Sequence, residues 1–191
     1  MYIAIEGIDT AGKSTQIAAL KNAYPDAIIT KEPGGTAIGA EIRSLVLSAR
    51  AQSKKAEFLL FLADRAEHIQ EIIKPNLDKM IISDRSAVSG VAYALTQGEI
   101  NETAIVHLNR FATDGIYPQK VFLLKLTKEE LEYRLSQKEL DGIELRGSEY
   151  LLAIQDSIIK AAKLLKIELV EIDATKSIES ITKEILNNIN S

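Results

Sequence analysis

Residues 7–14 read Gly-Ile-Asp-Thr-Ala-Gly-Lys-Ser, a glycine, four residues and then Gly-Lys-Ser. Glycines at both ends let the backbone curl until successive amide groups point inward. Those donors, with a helix N-terminus behind them, favour phosphate oxygens. In such a loop Lys13 reaches the β and γ phosphates of a nucleoside triphosphate and the Ser14 hydroxyl binds Mg²⁺. The complement is Met80-Ile81-Ile82-Ser83-Asp84, an apolar run ending in an acid that can hold Mg²⁺ through water. Beside Arg85 that acid could equally form a surface ion pair, but the loop at 7–14 favours the metal role.

A phosphate loop works only between a strand and a helix, and the flanking pattern supplies both. Strands are predicted at 2–6, 27–31, 79–83, 120–126 and 166–172. Several are apolar on both faces, as strands covered by helices must be. Helices are predicted at 13–24, 37–50, 54–74, 86–97, 101–113, 128–138, 147–165 and 176–189. Pro25 follows the first and Pro75 closes the third. Thr127 with Glu130 reads as a capping box, and Asn101 as an N-cap. This alternation predicts an α/β fold, a parallel sheet with right-handed crossovers and ligands at the carboxyl ends of the strands. No repeat or linker divides residues 1–191, which read as a single domain.

Composition narrows the partners. With 46% apolar residues the chain can build a full core, and with no cysteine it has no thiolate metal site or thiol nucleophile. A net charge of −4 argues against non-specific nucleic acid binding, so an anionic ligand must meet a local cluster of positive groups. No signal-like leader and no membrane-length apolar run is visible, so a cytoplasmic location is expected.

The loop does not name the reaction. A switch GTPase would need Asn-Lys-x-Asp, which is absent, and the signs of an ATP-driven motor are missing too. Arg43, Arg65, Arg85 and Arg110 could converge on a second anion, although Arg110 reads as a solvated side chain. His68 and His107 read as structural, and Lys54-Lys55 and Lys128–Glu130 as solvated faces. A kinase for some nucleoside monophosphate or a deoxynucleoside, and a non-catalytic nucleotide-binding module, all remain open on these residues alone. The presence of Lys13, Ser14 and Asp84 together argues against the last.

Five further segments carry a resemblance. "TKEPGGT" (30–36), "EIRSLVL" (41–47), "FLLFLADRAEH" (58–68), "SDRSAVSGVAY" (83–93) and "IDATKSIE" (172–179) resemble, in order, the signatures of thymidylate kinases of a divergent bacterial type. The resemblance implies a P-loop kinase fold with a five-stranded parallel sheet, helices on both faces and a short lid near 138–147. It implies phosphoryl transfer from ATP to dTMP, giving dTDP and ADP in dTTP synthesis, with Mg²⁺ and as a homodimer. Apolar faces of the second, third and sixth helices are candidates for the dimer contact.

The implied ATP site takes in Gly7, Ile8, Asp9, Thr10, Ala11, Gly12, Lys13, Ser14 and Thr15, with the Ala174–Lys176 backbone by the adenine. The implied dTMP site has Asp9 on the 3′-hydroxyl, Glu32 and a cis Pro33 shaping the pocket, and Arg43 and Arg85 on the phosphate. It places Phe61 on thymine, Arg65 at its O4, Tyr93 against the sugar, and Ser89 nearby. Phe61 and Arg65 are four residues apart, so one helix face can cover a base and read its edge. Phe58, Leu59 and Leu62 read as helix core. Lys13, Asp9 and Arg85 are expected to act in catalysis, and Ser14 and Asp84 to hold the metal.

Three positions depart from the pattern: Ser86 stands where an aromatic or histidine is usual, Ala94 for glutamine, and Gly142 for a lid arginine. The P-loop position that can otherwise supply this basic group holds Thr10, so none comes from there. Arg146, with Lys138 as alternative, is therefore expected to supply the missing charge.

Overall fold

The computed structural model describes residues 1–48, 52–137 and 146–190. Its strands are β1 (Tyr2–Glu6), β2 (Ile28–Lys31), β3 (Ile81–Asp84), β4 (Lys120–Lys125) and β5 (Glu168–Asp173). Its helices are α1 (Lys13–Ala23), α2 (Ala37–Leu47), α3 (Lys54–His68), α4 (Ala87–Gln97), α5 (Glu102–Thr113), α6 (Lys128–Ser136), α7 (Ser148–Leu165) and α8 (Ile178–Ile189). The strands pair in the order β2-β3-β1-β4-β5, every pair parallel. This is the expected five-stranded parallel sheet of a P-loop kinase.

The order explains where the site must lie. From β1 the chain crosses to β2 on one side, whereas every later crossover moves toward β5. With right-handed crossovers, α1 covers one face while α2 to α7 cover the other. Helix α8 packs on α1, and α4 packs on α5 and α7, consistent with two layers. The loops after neighbouring β1 and β3 therefore diverge to opposite faces, and a crevice opens between them. Ile5 pairs with Asp84 across that seam, so the phosphate loop and the acid after β3 start side by side.

Packing makes this seam rigid. All of β1 is buried, and Ile3, Ile5, Phe122, Leu123 and Leu124 lie in the core between the layers. Among the described residues, six helices begin on a side-chain cap: Thr36, Ser53, Ser86, Asn101, Thr127 and Ser177 each accept a backbone N–H of the first turn. Thr127 performs only half of the expected capping box, because the Glu130 carboxylate accepts from Arg134 instead, at 2.6 Å.

The third helix departs from expectation. It is α-helical only to His68 and then widens into a π turn at Ile69–Ile73 before a 3₁₀ turn at Lys74–Asn76. Pro75 has no N–H to donate, so a regular α-helix cannot run through it. The Lys74 N–H reaches back to Ile69. Ile69 and Ile73 then pack under Tyr2 and Ile81 as a second small core. Leu59, expected in the core, is 55% exposed, whereas Phe58 and Leu62 are buried. In α6, Leu131 and Leu135 are core residues, which leaves that helix little apolar surface. Most of the expected lid, with Lys138 and Gly142, lies outside the described residues. Among the described residues, no helix is long and apolar enough to cross a membrane.

The turn after β2 has room for glycine alone at residue 35. A Cβ there would stand 2.6 Å from the Lys31 carbonyl oxygen and 2.8 Å from His68 Cδ2. At Gly98, by contrast, a Cβ meets nothing within 4 Å, and only its φ of 73° resists substitution. Gly35→Ala should therefore cost about 2–3 kcal/mol in a thermal or denaturant melt, against about 1 kcal/mol for Gly98→Ala. Equal costs would mean that the turn can relax.

Candidate active site

Two cavities open along the crevice. One is walled by Asp9, Thr10, Gly12, Lys13, Ser14, Thr15, Lys31, Glu32, Arg43, Asp84 and Arg85. The other, between α3 and α4, is walled by Asp9, Glu32, Pro33, Arg43, Leu47, Glu57, Phe61, Asp64, Arg65, Arg85, Ser86, Ser89, Gly90 and Tyr93. Asp9, Glu32, Arg43 and Arg85 belong to both walls. All nine side chains that the sequence assigned to an acceptor nucleotide line the second cavity.

The loop of the first cavity is tightly drawn. Gly12 has a φ of 94°, and a Cβ on Gly7 would stand 3.0 Å from the Leu124 carbonyl oxygen. Lys13 is buried, and its Nζ donates to the carbonyls of Gly7 and Ile8 at 3.2 and 3.1 Å. Burial, reinforced by nearby Arg85, lowers its ammonium to about 8. Among the described residues, two buried side-chain oxygens lack a hydrogen-bond partner, Thr10 Oγ1 and Asp84 Oδ1. A buried carboxylate oxygen without a donor, on the same wall as a serine hydroxyl, suits a hydrated divalent cation.

Arg85 joins the two cavities. Its φ is 68°, its Nη2 donates to Asp9 Oδ1 at 2.8 Å, and its Nη1 donates to Ser89 Oγ at 3.2 Å. Burial alone would lower its affinity for the proton, but Tyr93, Asp9, Glu6 and Asp84 around it outweigh that and raise it. Behind it lies Glu6, fully buried at the end of β1. Ser86 Oγ donates to Glu6 Oε1 at 2.8 Å, and the Ser89 hydroxyl donates to its other oxygen. Burial raises the Glu6 carboxyl above its usual range, opposed by Arg85 and the two serines. Ser86, standing where an aromatic or histidine is usual, thus caps α4 and steadies this carboxylate, while Ala94 is buried in the core.

On the acceptor side, Arg43 Nη1 donates to the Pro33 carbonyl at 3.1 Å, and the Glu32-Pro33 peptide bond is cis. Phe61 lines the cavity half-buried. Arg65 is buried, held by Glu32 Oε2 at 2.9 Å and Asn109 Oδ1 at 2.7 Å. Glu32 also faces His68 Nδ1 at 2.9 Å. Burial would raise Glu32, but Arg65 and His68 prevail and hold it below the usual carboxylate range. Asp64 accepts the Gly34 N–H at 2.8 Å, tying the turn after β2 to α3, and burial lifts its carboxyl to about 6.

Several of these groups escape sequence reading. Glu6, Asp64 and Asn109 carry no local signal, and His68 is more than a filler of the core. Arg134 is the fourth omission: Nη1 donates to the Thr10 carbonyl at 3.0 Å and Nη2 to the Ala174 carbonyl at 2.8 Å. It bridges the phosphate loop to the turn after β5, where the exposed Lys176 pairs with Glu184 at 3.0 Å. Arg146 lies on neither wall; it sits 5.0 Å over the Tyr150 ring and donates to its hydroxyl at 2.9 Å. His107 and Arg110 are exposed.

The chain matches a family profile described as thymidylate kinase over residues 5–185. It is 79% identical over 190 residues to the thymidylate kinase of Sulfurimonas denitrificans, covering 100% of both chains. It is 53% identical over 190 residues to that of Aliarcobacter butzleri, covering 100% of this chain and 99% of the other. A crystal structure of thymidylate kinase from Ehrlichia chaffeensis superposes with a TM-score of 0.76 at 28% identity, covering 100% of this chain and 98% of that one.

The lowered Lys13 has a consequence that calorimetry can read. A bound polyphosphate favours the charged ammonium, so binding above pH 8 must take up a proton. At pH 8.5, titration with MgATP in buffers of different ionisation enthalpy should show uptake of at least about half a proton. Lys13→Met should abolish that uptake. A proton count near zero in the parent protein would overturn the assignment of Lys13 as buried and poised.

Proposed function

Because the chain belongs to the thymidylate kinase family, and transfers a phosphoryl group from ATP to dTMP to give dTDP and ADP, we propose a division of labour among its own residues. The observation that carries it is the shared wall: Asp9, Glu32, Arg43 and Arg85 face both cavities, so two phosphates bound in them would meet there.

The triphosphate lies on residues 7–15, with its adenine by the backbone of Ala174 to Lys176. Lys13 leaves the carbonyls of its own loop for the β and γ phosphates. Ser14 and Asp84 hold Mg²⁺, whose charge offsets that of the phosphates, and the orphaned Asp84 oxygen supports this. In the second cavity Arg43 and Arg85 grip the dTMP phosphate, and Asp9 takes the 3′-hydroxyl. Phe61 covers the thymine, Arg65 donates to its O4, and Tyr93 with Ser89 closes around the sugar. In-line transfer is mostly alignment and charge neutralisation, and the attacking oxygen is already anionic, so no acidic general base is needed.

The finer biological setting follows the same reading. Residues 1–191 act as one catalytic domain in the cytoplasm. A second copy of the chain covers exposed apolar side chains on adjoining helices: Ile38 and Leu45 of α2, Leu59 of α3, and Leu108 and Phe111 of α5. Helix α3 packs on both α2 and α5, so the three form a continuous surface.

Two measurements test the division. Arg65→Ala should lower the preference for dTMP over dCMP at least about tenfold in kcat/KM while KM for ATP moves less than about twofold. If ATP binding suffers equally, Arg65 is not the base reader. Arg146, in our reading, leaves Tyr150 when the lid closes and neutralises the transferring group. Arg146→Ala should then cut kcat at least about tenfold with little change in KM for dTMP. A kcat within about twofold would place the neutralising charge on Arg85 and the metal alone.

A further inference from the structure

An arginine carries five N–H groups, and the structure accounts for those of Arg65 unevenly. Nε donates to Glu32 and Nη1 to Asn109, at 2.9 and 2.7 Å. The second oxygen of Glu32 faces His68 Nδ1 at 2.9 Å, and His68 Nε2 lies 2.6 Å from Thr30 Oγ1. Thr30, Glu32, Arg65, His68 and Asn109 are all buried. They form a line of polar groups from β2 through α3 to α5.

The far end of the line is itself fixed. Asn109 Nδ2 donates to the Ile105 carbonyl at 2.8 Å, one turn back on α5, so its oxygen must face Arg65. Among the described residues no acceptor meets Arg65 Nη2. The guanidinium lies against Gly90, where a Cβ would stand 2.5 Å from Nη2 and 3.0 Å from Nη1, and both residues wall the acceptor cavity.

We propose that Asn109 and His68 are positioning residues for base selection, locking Arg65 so that only its Nη2 edge meets the pyrimidine. The inference rests on the reading of Arg65 as the group that donates to thymine O4. The reason is a matter of rigidity. Thymine offers a carbonyl acceptor where cytosine offers an amino donor. A loosely held arginine could turn away from the amino group and let cytosine in. An arginine pinned at Nε and Nη1 cannot, so a buried donor is forced against a donor, and mismatches of that kind are discriminated strongly. Glu32 alone would leave the guanidinium free to rock about its Nε–H bond. Asn109 stops that motion, and His68 holds Glu32.

The experiment compares kcat/KM for dTMP and dCMP at saturating MgATP in the full chain and in Arg65→Ala, Asn109→Ala, Asn109→Asp and His68→Gln. Asn109→Ala and His68→Gln should each lower the dTMP-to-dCMP ratio at least about tenfold through the dCMP side and KM for dTMP, with KM for ATP within about twofold. Asn109→Asp keeps an acceptor for Nη1 and should bring the ratio back to within about threefold of the parent. If Arg65→Ala collapses the ratio while Asn109→Ala and His68→Gln hold it within about twofold, the positioning role is overturned and the reading of Arg65 stands. If Arg65→Ala itself leaves the ratio unchanged, both fall together. Should one of the two positioning variants fail to fold, the other decides by the same ratio. Failure of both to fold would assign the cluster to stability and overturn the proposal.

Discussion

Cations gathered in a partly dry crevice repel one another, and each loses water that it would otherwise keep. Arg43, Arg65, Arg85 and Lys13 all border the two cavities. The fold meets this constraint by giving the guanidiniums of Arg65 and Arg85 carboxylates as neighbours, steadied by hydroxyls or an imidazole. Arg85 has Asp9 in contact, and Ser89 links it to Glu6. Arg65 has Glu32, which is backed by His68. Lys13 has only a longer contact with Asp9, at 3.8 Å, and leans on carbonyl oxygens. That inequality sets the roles apart. Arg65 and Arg85 are committed to fixed positions by carboxylates, whereas Lys13 and Arg43, which leans on the Pro33 carbonyl, are the cations held by backbone oxygens.

Topology determines which carboxylates are available. Glu6 ends β1, Glu32 follows β2, and Asp84 ends β3, so three adjacent strands deliver acids to one edge of the sheet. The register tightens this further, because Ile5 and Lys31 both stand opposite Asp84. The Glu32 N–H donates to the Asp84 carbonyl at 3.0 Å, and the Arg85 N–H donates to the Ile5 carbonyl at 3.0 Å. The sheet ladder therefore continues past the strands and fixes the first residues of each functional loop. Loops anchored this closely to a fully buried strand lose little further freedom when substrates arrive.

What could be read from sequence follows from the range of each interaction. The phosphate loop is legible because its parts are consecutive, and Phe61 with Arg65 because four residues of helix bring them together. The family segments located Arg43, Arg85 and Tyr93. Other contacts join distant residues: Arg134 reaches back 124 residues to Thr10, Asn109 lies 44 from Arg65, and Ser89 lies 83 from Glu6. No local pattern marks an asparagine that orients an arginine two helices away. His68 reads as structural for the same reason, since an isolated buried histidine looks alike whether or not it supports a site. The misplacement of Leu59 has a different origin. An apolar run in a helix records no orientation by itself, and α3 turns Leu59 outward because Phe58 and Leu62 share the inward face.

The backbone bears the same mark of a site arranged in advance. Among the described residues, four non-glycine residues have positive φ, and two of them, Thr10 and Arg85 at 68° each, sit on the loops that diverge from the seam. For a β-branched residue such as Thr10 this conformation is unfavourable by about 1–3 kcal/mol, and it persists only where neighbours over-determine it. Here they do. Arg134 holds the Thr10 carbonyl, while Arg85 is fixed by its N–H on Ile5 and by Ser83, whose hydroxyl donates to its carbonyl at 2.6 Å. Both conformations are thus maintained by groups that the phosphates need not touch. Arg134 belongs to α6, so the helix and the phosphate loop are tied together through one side chain. Any shift of α6 would bear directly on the Thr10 carbonyl, and so on the loop of residues 7–14.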